Sequence, residues 1–118
     1  MLGIRTFSTL FGLAFIAAGV AGFMPRFTTD DMLFGIFMVD SMHNWVHIIS
    51  GIVALFAATK MGYARLYFQI FGIVYGIVAI LGFIWNGDLM MMQVNMADNV
   101  LHAVIAVISL YLGFLFKK

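Results

Sequence analysis

The chain has 118 residues, 64% of them hydrophobic and only 9% charged, with a formal net charge of +1 and no cysteine. Soluble domains carry roughly 25% charged residues, so a polar surface around a soluble globule is excluded and the solvent is read as mostly lipid. Disulfides and thiolate metal sites are excluded with the cysteines, and no basic patch of the kind nucleic acid needs is present.

Four windows, 6–25, 41–59, 66–87 and 99–116, contain no Asp, Glu, Lys or Arg and run 20, 19, 22 and 18 residues. About 20 apolar residues span a bilayer core as a helix. The expectation is an all-α membrane protein: one domain over 1–118, with four transmembrane helices at about 4–25, 41–60, 63–85 and 97–116 packed as an antiparallel bundle. In helix 1, a lone Arg5 before an apolar run, with "AGVAG" behind it, also resembles a secretory signal. The repeat described below argues for a retained helix.

After helix 1, residues 26–39 include "MLFGIFMV", eight uncharged residues that are too short to span. They are read as an interfacial or re-entrant segment on the outer leaflet. Helix 2 follows, and the short turn around "KMGYAR" sets helices 2 and 3 as antiparallel neighbours. The loop before helix 4, "NGDLMMMQVNMA", is rich in Met.

A helical hairpin is written twice. "RTFSTLFGLAFIAAGVAGF" from Arg5 aligns with "RLYFQIFGIVYGIVAILGF" from Arg65 at an offset of 60, and "HNWVHIISGIVAL" aligns with "DNVLHAVIAVISL" at an offset of 55. Two hairpins of one orientation, about 1–59 and 60–118, imply a pseudo-two-fold axis along the membrane normal. Small residues spaced by four, Ala14, Ala18 and Gly22, then Gly72 and Gly76, suit close helix packing in lipid, between the helices or between copies of the chain.

Sidedness follows from the bases. Arg5, Lys60, Arg65, Lys117 and Lys118 lie at the termini and the helix 2–3 turn, whereas Arg26 stands alone in the other loops. The positive-inside rule then puts both termini in the cytoplasm of a multi-pass membrane protein. Arg5 and Arg65 are expected to snorkel to inner-leaflet phosphates. Trp45 and Trp85 are expected to anchor at the outer interface.

The polar residues of the apolar windows concentrate near the outer end. His43 and His47 are four apart, as are Asp98 and His102, so each pair shares a helix face. Under the repeat His43 pairs with Asp98, Asn44 with Asn99, and His47 with His102. By helical rise His47 lies roughly 10 Å past Asp40, and His102 roughly 6 Å past Asp98. One reading is structural: Asp40 or Ser41 caps helix 2, Asp98 caps helix 4, and the Asn and His form polar contacts between helices. The other is a cofactor site. His43, His47, Asp98 and His102 form a Zn or Cu ligand set, or His47 and His102 alone hold a haem, with Asn44 and Asn99 orienting the imidazoles. Eight of the ten Met residues lie near or beyond the outer face and favour copper modestly. A proton or solute path runs out halfway, because below Ser50 and Ser109 almost nothing polar continues inward.

At these residues the chain resembles a bacterial family of four-helix membrane proteins, the domain-of-unknown-function family 4383. The family's pattern opens helix 2 with Leu-His-Asn-x-x-His, matched by His43, Asn44 and His47 with Met42 in place of Leu. Its Ala-Arg-x-Tyr is matched by Ala64, Arg65 and Tyr67, and its Asn-x-Ala-Asp-Asn-x-x-His by Asn95, Ala97, Asp98, Asn99 and His102. The resemblance implies a four-helix inner-membrane protein and no particular activity. The Met run at 90–92 is not part of that pattern, which weakens the case for copper. The expected role is a non-catalytic structural or accessory component, as a homo-oligomer or within a larger membrane complex. The alternative is a metal or haem protein. No nucleophile–base arrangement, carboxylate pair or phosphate-binding loop points to an enzyme.

Overall fold

The computed structural model describes residues 3–89 and 93–117. Among them are four α-helices: α1 (Ile4–Phe23), α2 (Ser41–Ala57), α3 (Met61–Ile84) and α4 (Met96–Leu110). The last runs on into a π-helical turn, Tyr111–Leu115. Ile4–Phe23, Met61–Ile84 and Met96–Leu115 are long and apolar enough to cross a membrane. Helix α2, at 17 residues, ends short of the expected residue 60. Its last turn closes when the Ala58 N–H bonds back to Ala54 O and the Thr59 hydroxyl to Phe56 O.

The most extensive packing is α1 on α2 and α3 on α4. In the first pair the backbones touch: a Cβ on Gly12 would fall 2.8 Å from the Gly51 carbonyl oxygen, and one on Gly51 would fall 2.6 Å from that of Gly12. In the second, a Cβ on Gly72 would meet Leu110 at 2.9 Å. Lipid tails are as apolar as side chains, so helices in such a setting are held by close fit and polar contacts. The Ser8 hydroxyl supplies one, donating to Ala54 O at 2.6 Å. The expected stripe on α1 is only partly the one used. Gly12, Gly19 and Gly22 are buried, whereas Ala14 is exposed and Ala18 half-buried.

Burial recurs at the offsets of the sequence repeat. Ile4, Ser8, Gly12, Phe15, Gly19 and Gly22 are the buried residues of α1, and 60 positions on Ala64, Phe68, Gly72, Tyr75, Ala79 and Gly82 are buried in α3. In α2, His43, Asn44, His47, Gly51, Ala54 and Ala57 are buried, and 55 positions on so are Asp98, Asn99, His102, Ala106, Ser109 and Leu112.

Helix ends explain the two arginines. Arg5 Nε donates to Ala58 O at 2.7 Å, at the C-terminus of α2. Arg65 Nη1 donates to Leu112 O and Phe116 O at the end of the α4 run. Each guanidinium thus satisfies orphan carbonyls at the negative end of its neighbour's dipole. These helix-end contacts stand beside the lipid phosphates expected from the sequence. Gln69, unremarked in the sequence, donates to Gly113 O at 2.9 Å. The wider π turn loosens the i→i−4 ladder there and frees a carbonyl for it.

The segment between α1 and α2 is neither a helix nor a re-entrant loop. It is a three-stranded antiparallel meander, β1 (Thr28–Thr29), β2 (Met32–Leu33) and β3 (Phe37–Met38). Its turns use left-handed backbone at Asp30, Asp31, Phe34 and Gly35, which is why strands of two residues suffice to reverse the chain. Leu33 and Val39 are buried beneath it, while Phe34 and Ile36 stay exposed.

Candidate functional site

The site is built from two capped helix starts. Asp40 caps α2: its Oδ1 accepts from the His43 N–H at 2.8 Å, and its Oδ2 accepts from the Gln93 N–H at 3.2 Å. This fixes His43 in the first turn, with His47 one turn deeper. Helix α4 starts with a capping box. The Asn95 side chain accepts from the Asp98 N–H at 2.9 Å, and Asp98 Oδ2 accepts from the Asn95 N–H at 2.9 Å. Asp98 was the expected cap; the cap is Asn95, and the Asn-x-x-Asp spacing is the signal that identifies it. The meander closes over this start, with the Met38 N–H donating to Asp98 Oδ2 at 3.1 Å and Asn95 Nδ2 to Ile36 O at 2.9 Å.

Beneath the caps, His43, His47 and His102 come together, 1%, 7% and 2% exposed. The His43 ring centroid is 4.4 Å from that of His47 and 5.6 Å from that of His102. One ligand nitrogen from each lies within 4.8 Å of the others. Both ring nitrogens of His43, and Nδ1 of His47 and of His102, have no hydrogen-bond partner among the described residues. The Met38 carbonyl is the backbone acceptor beside the His43 ring, outside hydrogen-bond geometry. Buried polar groups are nearly always satisfied, and an orphan is a sign of a missing ion or water. With bonds of about 2.0–2.1 Å, nitrogens around a tetrahedral ion lie roughly 3.3 Å apart. Holding an ion would require the three rings to draw in from the spread of 4.8 Å.

The remaining expected ligand, Asp98, is drawn elsewhere. Its Oδ2 is taken by two backbone N–H groups, so it serves the helix start. It faces His43 as a nearby charge, as does Asp40. Asn44 and Asn99 are not oriented toward the imidazoles through their oxygens. Asn44 Oδ1 would lie 1.9 Å from a Cβ on Gly22, and Asn99 Oδ1 2.0 Å from one on Gly82. Each oxygen therefore sits against a glycine Cα–H, a weak contact that only glycine permits. Trp45 and Trp85 are exposed near this end of the molecule, Trp45 packing edge-on against Phe23 at 5.5 Å. Met90, Met91 and Met92 lie outside the described residues.

Two clefts flank the histidines. One, about 90 Å³, lies between α2 and α3 and takes in His43, His47, His102, Ser50 and Tyr75. The other, about 280 Å³, lies between α1 and α4 and takes in His47, Phe11, Phe15, Leu101 and Ile105, as well as Ala14 and Ala18, which accounts for their exposure. Their walls correspond at the repeat offsets: Phe15 to Tyr75, Ile105 to Ser50, Phe11 to Phe71. Phe15 packs on His47 at 5.6 Å and Tyr75 on His102 at 5.5 Å. Tyr75 is 5% exposed, and its hydroxyl makes no hydrogen bond among the described residues, with Ser50 beside it. Sequence reasoning passed over Tyr75; its place opposite Phe15 in the repeat was the available signal.

Neither the curated proteins nor the solved structures contain a match to this chain. The family comparison is decisive: residues 5–115 match the model described as a domain of unknown function, DUF4383, and the chain belongs to that family.

Proposed function

We propose that the protein is a four-span component of the bacterial inner membrane, made of two pseudo-symmetric hairpins, whose buried histidines bind one transition-metal ion, zinc or copper. Three unpartnered imidazoles within 4.8 Å of one another carry this reading. Histidines serving only as polar contacts would be hydrogen-bonded across the helices. Neutral imidazole suits both ions. The described lining of the cavity includes no Met, so nothing in it selects Cu(I). A cavity of about 90 Å³ has room for an ion and a few atoms and is far short of a porphyrin, so an ion fits better than haem.

The membrane arrangement has its own support. Arg5 and Arg65 meet the ends of α2 and of the α4 run, which gathers the basic residues at one end, opposite the histidines. Basic residues on that side favour cytoplasmic termini. Helix α2 spans about 26 Å, and a bilayer accommodates a few Å of mismatch at modest cost. Recurring burial at offsets of 60 and 55 favours a duplicated hairpin in a single domain.

The test is elemental analysis of purified protein after exposure to Zn(II) and Cu(II), beside a His47→Ala/His102→Ala variant. About one ion per chain is expected, in an all-nitrogen/oxygen shell by X-ray absorption, with affinity falling at least tenfold in the variant. A chain that takes up neither ion returns the cluster to structural polar contact. The protein would then be read as an accessory subunit or homo-oligomer, and co-purification under mild extraction would be the next measurement.

A further inference from the structure

Three histidines would leave a tetrahedral ion one position short, and all three line the cavity between α2 and α3, whereas His47 alone of them lines the α1–α4 cleft. We infer, resting on the metal reading above, that the fourth position takes a small exogenous ligand, water or hydroxide or a small anion, and that the Tyr75 hydroxyl holds it.

The two clefts supply the argument. At the equivalent place in the α1–α4 cleft, Phe15 packs on His47 with the spacing at which Tyr75 packs on His102. A ring without a hydroxyl therefore does the packing. The Tyr75 hydroxyl adds nothing to that contact, and it is buried with no hydrogen bond among the described residues. Ser50 stands beside it, outside hydrogen-bond geometry, so the hydroxyl retains capacity for a further partner. The second substitution points the same way: Ser50 stands where Ile105 lines the other cleft. Both hydroxyl-bearing positions thus fall on one side of the histidines. That side has about 90 Å³ of space, enough for two or three non-hydrogen atoms beside an ion. Three-histidine centres with a fourth, exchangeable position are the open type of metal site, whereas structural sites fill all four positions from the protein. Tyr75 touches no ligand nitrogen; it is a positioning residue for whatever occupies that place.

The experiment uses the full-length protein loaded with Cu(II) in detergent and titrated with sodium azide, followed by absorption and electron paramagnetic resonance. A saturable azide-to-copper charge-transfer band is expected, with changed copper hyperfine splitting. Tyr75→Phe should keep copper at one per chain and weaken azide about tenfold, the effect of one lost hydrogen bond. A second variant, Val78→Phe, narrows the cavity without touching a ligand; it should keep copper and abolish the azide response. If the native protein holds one copper and azide changes nothing, the centre is closed and the inference falls while the metal reading stands. Equal azide affinity in Tyr75→Phe removes the role of its hydroxyl. Failure to bind copper or zinc at all overturns both.

Discussion

The two clefts beside the histidines have corresponding, mostly apolar walls and differ in their hydroxyls. One presents Phe15 and Ile105, the other Tyr75 and Ser50. Because the frame is the same, the difference separates what the bundle needs from what a site needs. Apolar side chains are enough to pack these positions, so the hydroxyls require another reason. The histidines themselves show the same divergence: His43 of one hairpin corresponds to Asp98 of the other. The carboxylate has become a helix-start acceptor, and the imidazole has joined a cluster.

Three substitutions probe these differences. The largest effect is expected at Phe15, 7% exposed, stacked on Tyr75 and tilted against His47. Phe15→Ala should cost about 3 kcal/mol in reversible unfolding in mixed micelles, as for other buried Phe truncations. A loss under 1 kcal/mol would mean that lipid refills the α1–α4 cleft. Next comes Asp98→Ala, which orphans the Met38 and Asn95 N–H groups; the expected cost is about 2 kcal/mol, with faster amide exchange over the meander. Metal affinity should change far less than in the histidine variant, and an equal loss would restore Asp98 to the ligand set. The smallest effect is expected from Ser50→Ile/Tyr75→Phe, which gives the α2–α3 cleft the side chains its counterpart carries at those two positions. Removing two buried hydroxyls should leave metal-free stability within about 1 kcal/mol of the native value, on the favourable side.

Much of this was legible from residue order alone. Charge-free windows located the helices to within a few residues, because in lipid a charge is costly and its absence is informative. The doubled Asn-x-x-His located the cluster. What escaped had physical reasons. Strands of two residues are shorter than any periodicity can register, so the meander at 28–38 was invisible. Asp98 offers the same carboxylate to an ion or to a helix start, and only the position of Met38 decides between them. The contacts of Arg5 and Arg65 with the ends of α2 and α4 join tertiary neighbours, absent from local sequence. Gln69 became meaningful only with the π turn, whose register no composition reveals.

The bond from Met38 N–H to Asp98 has a consequence for how the chain is completed. Donor and acceptor are 60 residues apart. At synthesis rates of about 5–20 residues per second, the acceptor emerges roughly 3–12 seconds after the donor. Until then the first hairpin waits with an unfastened loop over His43 and His47. The meander over the site is made early and fastened late, since its acceptor belongs to the final helix.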